Sequence, residues 1–162
     1  MGPDLRKAIA VLRDEINAAL KDAMKAKNER TVSTLRMVNS TLKNADIEAR
    51  GNGKPALGDE ETVGVLQKMV KQRHESVELY EKGGRPELAA AERGEIAIIQ
   101  AYLPRQMSDD EVTAAVNAAI AETGAAGMKD MGKVIGALKA KHAGKMDFAK
   151  VSGVVKGKLA GS

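Results

Sequence analysis

The chain has 162 residues, 43% of them hydrophobic and 30% charged, which is typical of one globular domain or two small ones packed together. Its net charge of +4 is concentrated in residues 124–162, where eight lysines outnumber two aspartates and give a local charge of +6. The sequence has no cysteine, no apolar run near the roughly 18 residues that span a bilayer and no secretory signal pattern. We therefore expect a cytoplasmic protein that has no disulfide, no thiolate zinc site and no membrane partner.

Apolar residues recur at steps of three and four along the first 50 residues, which predicts two amphipathic helices. These helices should cover residues 5–27 and 29–50. The short break at Asn28 favours an antiparallel hairpin, with Asn28 as the residue in the left-handed conformation. Asp4 is the expected N-cap of the first helix.

Two further helices are predicted before the first strong break in the chain. Asp59 should cap a helix that continues to Lys82, and Pro86 should occupy the first turn of the next, where its missing N–H group costs nothing. That fourth helix should reach Leu103, because Pro104 then prevents its continuation.

Three shorter helices should complete the chain. Ser108 and Glu111 have the spacing of a capping box, and Asp147 is a second plausible N-cap. No stretch has the alternation of a strand. The sequence thus predicts an all-α fold with a four-helix domain at 1–104, formed by the hairpin and two more helices, a three-helix domain at 105–162, and a hinge at Pro104–Ser108. The predicted short helices are 108–123, 129–142 and 147–159.

Catalytic groups are hard to find in this sequence. The two histidines, His74 and His142, lie in polar or lysine-rich stretches where a surface position is the better interpretation. The glycine-rich segment 51–54 lacks the spacing and the hydroxyl residue of a phosphate-binding loop. We expect no catalytic residue, no metal and no cofactor.

Glu92 and Glu95 are three residues apart on one side of the fourth helix. Such pairs can exchange protons in catalysis, but they more often form ion pairs with a neighbouring helix. The available cations are Arg73, Arg85 and Arg93, and we favour the ion-pair interpretation.

Gly132 and Gly136 share one face of the sixth helix, although each glycine costs about 1 kcal/mol relative to alanine in a helix. Two of them indicate a close approach to the helix backbone, either by a neighbouring helix, which is the default, or by a phosphate or ribose backbone. On charge alone, a solvated lysine surface is the commoner explanation of the basic segment. The candidate RNA-binding residues are Gly132, Gly136, Lys133, Lys139, Lys141 and Lys145.

Several strings of residues resemble the YqeY (GatB/YqeY) family over nearly the whole chain. They are Lys71-Gln-Arg73, Gly84-Arg85, Glu92 and Glu95, Tyr102-Leu-Pro104 with Gln106, and Asp130-Met-Gly132-Lys133-Val134.

The resemblance implies an all-helical protein whose C-terminal part is similar to the tail of the GatB chain of the glutamyl/aspartyl-tRNA amidotransferase. In that enzyme the tail recognises the body of the tRNA, whereas activation and amide transfer occur in other parts. The family is usually assigned carbon–nitrogen ligase activity with glutamine as amide donor. No residue set for that chemistry is visible here, so we expect the isolated chain to be inactive as a ligase.

Two functions from different classes remain open. The chain is either an accessory protein that binds tRNA or another structured RNA through its lysines, or a protein-interaction adaptor whose N-terminal hairpin presents a helical face to a partner. A ligase that acts together with other subunits is a weaker third interpretation. An amidotransferase or an aminoacyl-tRNA synthetase would be a suitable protein partner.

Overall fold

The computed structural model describes residues 5–161, and their side chains from residue 11 onward. Within that range it contains α-helices, one short 3-10 turn at Met128–Asp130 and no strand, which confirms the all-α prediction. The residues divide into two compact units, the first ending at Leu103 and the second beginning at Pro104. The helices are α1 Leu5–Lys25, α2 Glu29–Gly51, α3 Asp59–Lys82, α4 Pro86–Gln100, α5 Asp109–Thr123, α6 Met131–His142 and α7 Phe148–Ala160.

The first unit packs α1 to α4 around one aliphatic core. Arg13 on α1 forms two hydrogen bonds with Asp46 on α2, at 3.1 and 2.9 Å, and fastens the hairpin. Burial acts to raise the pKa of Asp46, but bonds from the Leu57 N–H and from Arg13 outweigh it and lower the pKa. The buried core consists of Leu12, Ile16, Leu35, Val38, Leu42, Leu66, Met69, Val70, Val77, Ala89, Ile96 and Ile99.

A polar cluster lies where α3 faces α4 in this unit. Arg73 is only 9% exposed; its Nη1 donates to the Met69 carbonyl at 3.0 Å, and its Nε lies 3.6 Å from Glu95 Oε2. That second distance is too long for a hydrogen bond, and Nε has no hydrogen-bond partner among the described residues. Burial raises the pKa of Glu92, and the negative charge of Glu95 raises it further. The predicted ion-pair interpretation therefore holds for Glu95 with Arg73. The charge of Arg73 also acts on Glu92, but it does not offset the effects of burial and of Glu95.

Four helices of the chain end in the same backbone motif. In each, one residue adopts a left-handed conformation, and the next N–H group donates to the carbonyl five residues back. The left-handed residues of α2, α3 and α5 are glycines, with φ of 75°, 69° and 67°, whereas α1 has Lys27 there with φ of 58°. The four N–H donors are Asn28, Lys54, Arg85 and Ala125, bonded to Ala23, Ala49, Tyr80 and Ile120.

The hairpin turn differs from its prediction for a physical reason. Asn28 has φ of −83° and caps α2, because its side chain accepts a hydrogen bond from the Thr31 N–H group. A residue with that geometry cannot also be left-handed, so the left-handed conformation falls on Lys27. For a residue with a Cβ atom this conformation costs roughly 1–2 kcal/mol.

Other helix ends were predicted with mixed success. The capping box of Ser108 and Glu111 is confirmed, as is Asp147, whose carboxylate accepts from the Ala149 N–H group. The N-cap of α3 is Gly58 rather than Asp59, because the carboxylate of Glu61 reaches back to the Gly58 N–H group at 2.6 Å. The predicted cap Asp4 lies outside the described residues.

Two helix boundaries also differ from the predicted ones. Helix α4 ends at Gln100 rather than Leu103, since the last N–H groups bond three residues back in the tighter turn that precedes Pro104. Helix α6 begins at Met131, because the residues before it form the 3-10 turn.

The second unit packs α5, α6 and α7 around a smaller core. Its entry segment is bonded to the loop between α6 and α7: the Gln106 side chain donates to the Gly144 carbonyl at 2.8 Å, and the Met107 N–H group to the Lys145 carbonyl at 2.8 Å. Both bonds hold the loop that carries Lys145. The buried residues are Val116, Ala119, Val134, Leu138, Met146, Val151, Val155 and Leu159.

The change Lys27→Gly should stabilise the protein by about 1 kcal/mol, because glycine adopts the left-handed conformation without a Cβ clash. Chemical denaturation followed by circular dichroism would measure the gain. The control is Lys54→Gly, which changes an exposed lysine directly after Gly53, the left-handed glycine at the end of α2. This change should not stabilise the protein. Equal or lower stability of Lys27→Gly would contradict the strain.

Glu92→Gln should raise the melting temperature at pH 7 and leave it nearly unchanged at pH 4. The pKa of Glu92 is higher in the folded than in the unfolded protein. The stability that its protonated form contributes is therefore fully present at pH values below the pKa of the unfolded state. That contribution is lost as the pH rises through the raised folded pKa. Thermal melts across this pH range, with the exposed Glu78→Gln as control, test the sign. A variant less stable than the wild type at pH 7 would refute it.

Candidate functional site

The four candidate lysines are all exposed on the second unit, but the three on α6 do not share one face of that helix. Lys133, Lys139 and Lys141 lie on α6, and Lys145 follows in the loop that Gln106 and Met107 hold. The helical repeat of about 3.6 residues places Lys133 and Lys139 on either side of the most exposed face of α6. Lys141 lies away from that face, toward α5.

These lysines differ in how strongly their ammonium groups already interact with neighbouring side chains. The Nζ atom of Lys141 donates to Glu122 Oε2 on α5 at 2.7 Å, and Lys139 Nζ lies 5.7 Å from the centre of the Phe148 ring. Lys145 has no ion-pair partner among the described residues. Lys145 and Lys139 are therefore more available to an external anion than Lys141.

Lys133 has a weaker internal partner at the start of its own helix. Its Nζ lies 3.8 Å from Asp130 Oδ1, with the lysine side chain 71% exposed. A hydrogen bond from the Ala126 N–H group, followed by the charges of Lys133 and Lys129, lowers the pKa of Asp130 despite partial burial. An exposed pair of this length nevertheless contributes little.

The two glycines of α6 are open to solvent. A Cβ atom built on Gly132 or Gly136 would meet no atom within 4 Å beyond the helix itself. The default expectation of a neighbouring helix packed against them is therefore wrong within the described chain. Their exposed face carries Lys133 on one side and Lys139 on the other.

Helix α7 repeats this arrangement, which was not predicted from the sequence. Gly153 and Gly157 are exposed, and a Cβ atom on either would meet nothing within 4 Å. Lys150 and Lys156 flank them in the helical repeat. Both the four-residue glycine spacing and the flanking lysines were visible in the sequence.

Negative charge is concentrated at the start of α5. Its first turn contains Asp109, Asp110 and Glu111, an arrangement that a helix N-terminus stabilises. Two bonds from Arg105 lower the pKa of Glu111 to about 2. Lys150 Nζ also bonds to Asp109 at 3.1 Å, so part of the lysine surface is balanced within the unit.

No group of three or more His, Asp and Glu side chains in residues 11–161 could hold a metal ion. His74 is exposed and His142 is half-buried. Among the helices that the structure describes, none has both the length and the apolar character needed to cross a membrane.

Curated relatives match this chain over part of its length. The protein of Vanderwaltozyma polyspora named "Altered inheritance of mitochondria protein 41, mitochondrial" is 39% identical over 98 residues, 60% of this chain and 49% of the relative. The protein of the same name in Eremothecium gossypii is 39% identical over 88 residues, 52% of this chain and 44% of the relative. An uncharacterised protein of Schizosaccharomyces pombe is 30% identical over 102 residues, 63% of this chain and 80% of the relative. The chain thus spans about half the length of the first two relatives.

The names of these relatives overturn the expected cytoplasmic location, because several of them are named as mitochondrial proteins. The expectation failed for a physical reason. A lack of cysteine indicates a compartment that does not depend on disulfides, and that criterion does not separate the cytosol from the interior of an organelle.

The family itself is established by a longer match. The sequence fits the family described as "Yqey-like protein" over residues 13–159, which include nearly all of both units. The strings that first suggested the resemblance, from Lys71 to Val134, all lie inside this range. The chain therefore belongs to the Yqey-like protein family.

Proposed function

We propose that the second unit binds structured RNA, with tRNA as the first candidate, and that the chain is an RNA-binding accessory protein. The observation that carries the proposal is the pair of open glycine faces on α6 and α7, each bordered by exposed lysines. A sugar–phosphate backbone can approach a glycine face closely, while lysines on both sides contact successive phosphates.

The small number of aromatic residues fits one class of RNA better than another. The chain has two tyrosines and one phenylalanine, and Phe148 lies partly buried beneath Lys139. Proteins that bind single strands usually stack bases on exposed aromatic rings. A lysine and glycine surface is better suited to the shape and phosphates of double-helical RNA.

The family resemblance adds a second element to the proposal. An RNA-binding protein of this kind would work beside a tRNA-dependent amidotransferase or an aminoacyl-tRNA synthetase. The carbon–nitrogen ligase activity that uses glutamine as amide donor would then belong to that partner. A purely protein-binding adaptor is the alternative function.

Changing Lys133, Lys139 and Lys145 together to Glu should abolish tRNA binding at low salt. Each lysine lost should also flatten the dependence of log K on log salt by about one unit or less, because fewer counterions are released. Lys139→Ala alone should weaken binding only slightly. Lys141→Ala should have a smaller effect still, since its ammonium group already bonds to Glu122. Filter binding at two salt concentrations measures all of these.

The matched control is the triple change of Lys43, Lys54 and Lys68 to Glu, which alters the net charge equally on exposed positions of the first unit. This control should keep most of its affinity if the second unit is the binding site. Circular dichroism should show both triple variants folded, as exposed substitutions usually change stability by about 0.5 kcal/mol or less. Equal losses in the two variants, or no binding by the wild type, would favour the adaptor instead.

A further inference from the structure

An open groove lies at the turn of the hairpin in the first unit, where α1 ends and α2 begins. It has a volume of about 560 Å³ and is lined by residues from both helices and from the turn between them. Met24, one of the lining residues, is 49% exposed. The lining residues are Met24, Lys27, Glu29, Val32, Ser33 and Arg36.

Lys27 lines this groove in the strained conformation described above. The three equivalent helix ends of the chain all use glycine, and Lys27 is the only non-glycine residue with a positive φ in residues 5–161. A lysine therefore occupies a position that favours glycine, and its side chain is directed to the groove at a cost in stability. Backbone strain of this kind is concentrated at functional sites.

The charges of the groove are unbalanced. Neither Lys27 nor Arg36 forms an ion pair among the described residues. The one acidic residue, Glu29, lies in the first turn of α2, where the helix dipole already stabilises its charge. The groove thus presents two unpaired cations beside the apolar side chains of Met24 and Val32.

We propose that this groove binds an acidic amphipathic helix of a partner protein. The apolar side of that helix would cover Met24 and Val32, and its acidic residues would pair with Lys27 and Arg36. Amphipathic helices bind grooves between helices in this way, and flexible methionines adapt to the side chains they meet. The site lies in the first unit, so it is independent of the RNA surface proposed on the second.

An RNA ligand fits the groove less well than a helix. Phosphates would meet the two cations, but the apolar side chains of Met24 and Val32 offer a sugar–phosphate backbone no hydrogen-bond partner. An acidic helix satisfies the cations and also removes the exposed apolar side chains from water.

A synthetic peptide of about 16 residues, long enough to form a helix, tests the proposal with the full-length protein. It carries leucine at every third or fourth position and glutamate elsewhere. Nuclear magnetic resonance of the isotope-labelled protein should show shifts centred on residues 24–36. Fluorescence anisotropy should show about threefold weaker binding for Lys27→Gly and about tenfold weaker binding for the double variant Lys27→Gly, Arg36→Glu.

Matched variants separate the groove from general charge effects. Lys54→Gly and Lys43→Glu change exposed lysines outside the groove and should bind the peptide like the wild type. Lys27→Gly should lose affinity while its melting temperature rises, a combination that unfolding cannot produce.

Four outcomes would overturn the proposal. The shifts could be absent or centred elsewhere, or a peptide with lysine in place of glutamate could bind as tightly. A short RNA duplex could bind residues 24–36 more tightly than the peptide does. Finally, the same shifts could appear without peptide as the protein concentration rises, which would make a second copy of the chain the occupant.

Discussion

The fold depends on burying one narrow aliphatic stripe from each helix. The cores of both units consist almost entirely of Leu, Ile, Val, Met and Ala, and helices with such side chains pack closely. A stripe of this width covers only part of each helix surface. The opposite faces of α6 and α7 therefore lie outside the core. They can carry glycine and lysine, residues that would be unfavourable inside it.

Local spacing explains which elements were predictable from the sequence. The stripe of Leu35, Val38 and Leu42 and the capping box at Ser108 involve residues three or four apart, so they are visible without a structure. Lys27 was not predictable, because its conformation depends on a competition in which Asn28 is used as the cap of α2. Gly58 was missed for a similar reason: Glu61 supplies the cap from within the helix.

The candidate site was less predictable than the fold, since its chemistry depends on contacts between distant residues. Nothing local indicates that Lys141 bonds to Glu122, which lies 19 residues earlier. The openness of Gly132 and Gly136 likewise depends on where α5 and α7 pack, and a four-residue glycine spacing is equally compatible with a covered face. The glycines of α7 had the same visible signal as those of α6 and could have been found.

Several residues lower the stability of this chain, and no contact inside the folded structure compensates for their cost. The four exposed glycines of α6 and α7, and Gly64 on α3, cost about 1 kcal/mol each relative to alanine, and nothing in the described chain packs against them. Gly94 shows the contrast, because the Arg30 side chain lies against it and would have to shift to admit a Cβ atom. Lys27 belongs with the four exposed glycines, since glycine would suit its backbone better. Where local preference is violated and no internal contact compensates, an external contact is one physical explanation. The glycines of α6 and α7 and Lys27 lie on the two surfaces proposed for binding, whereas Gly64 lies on neither.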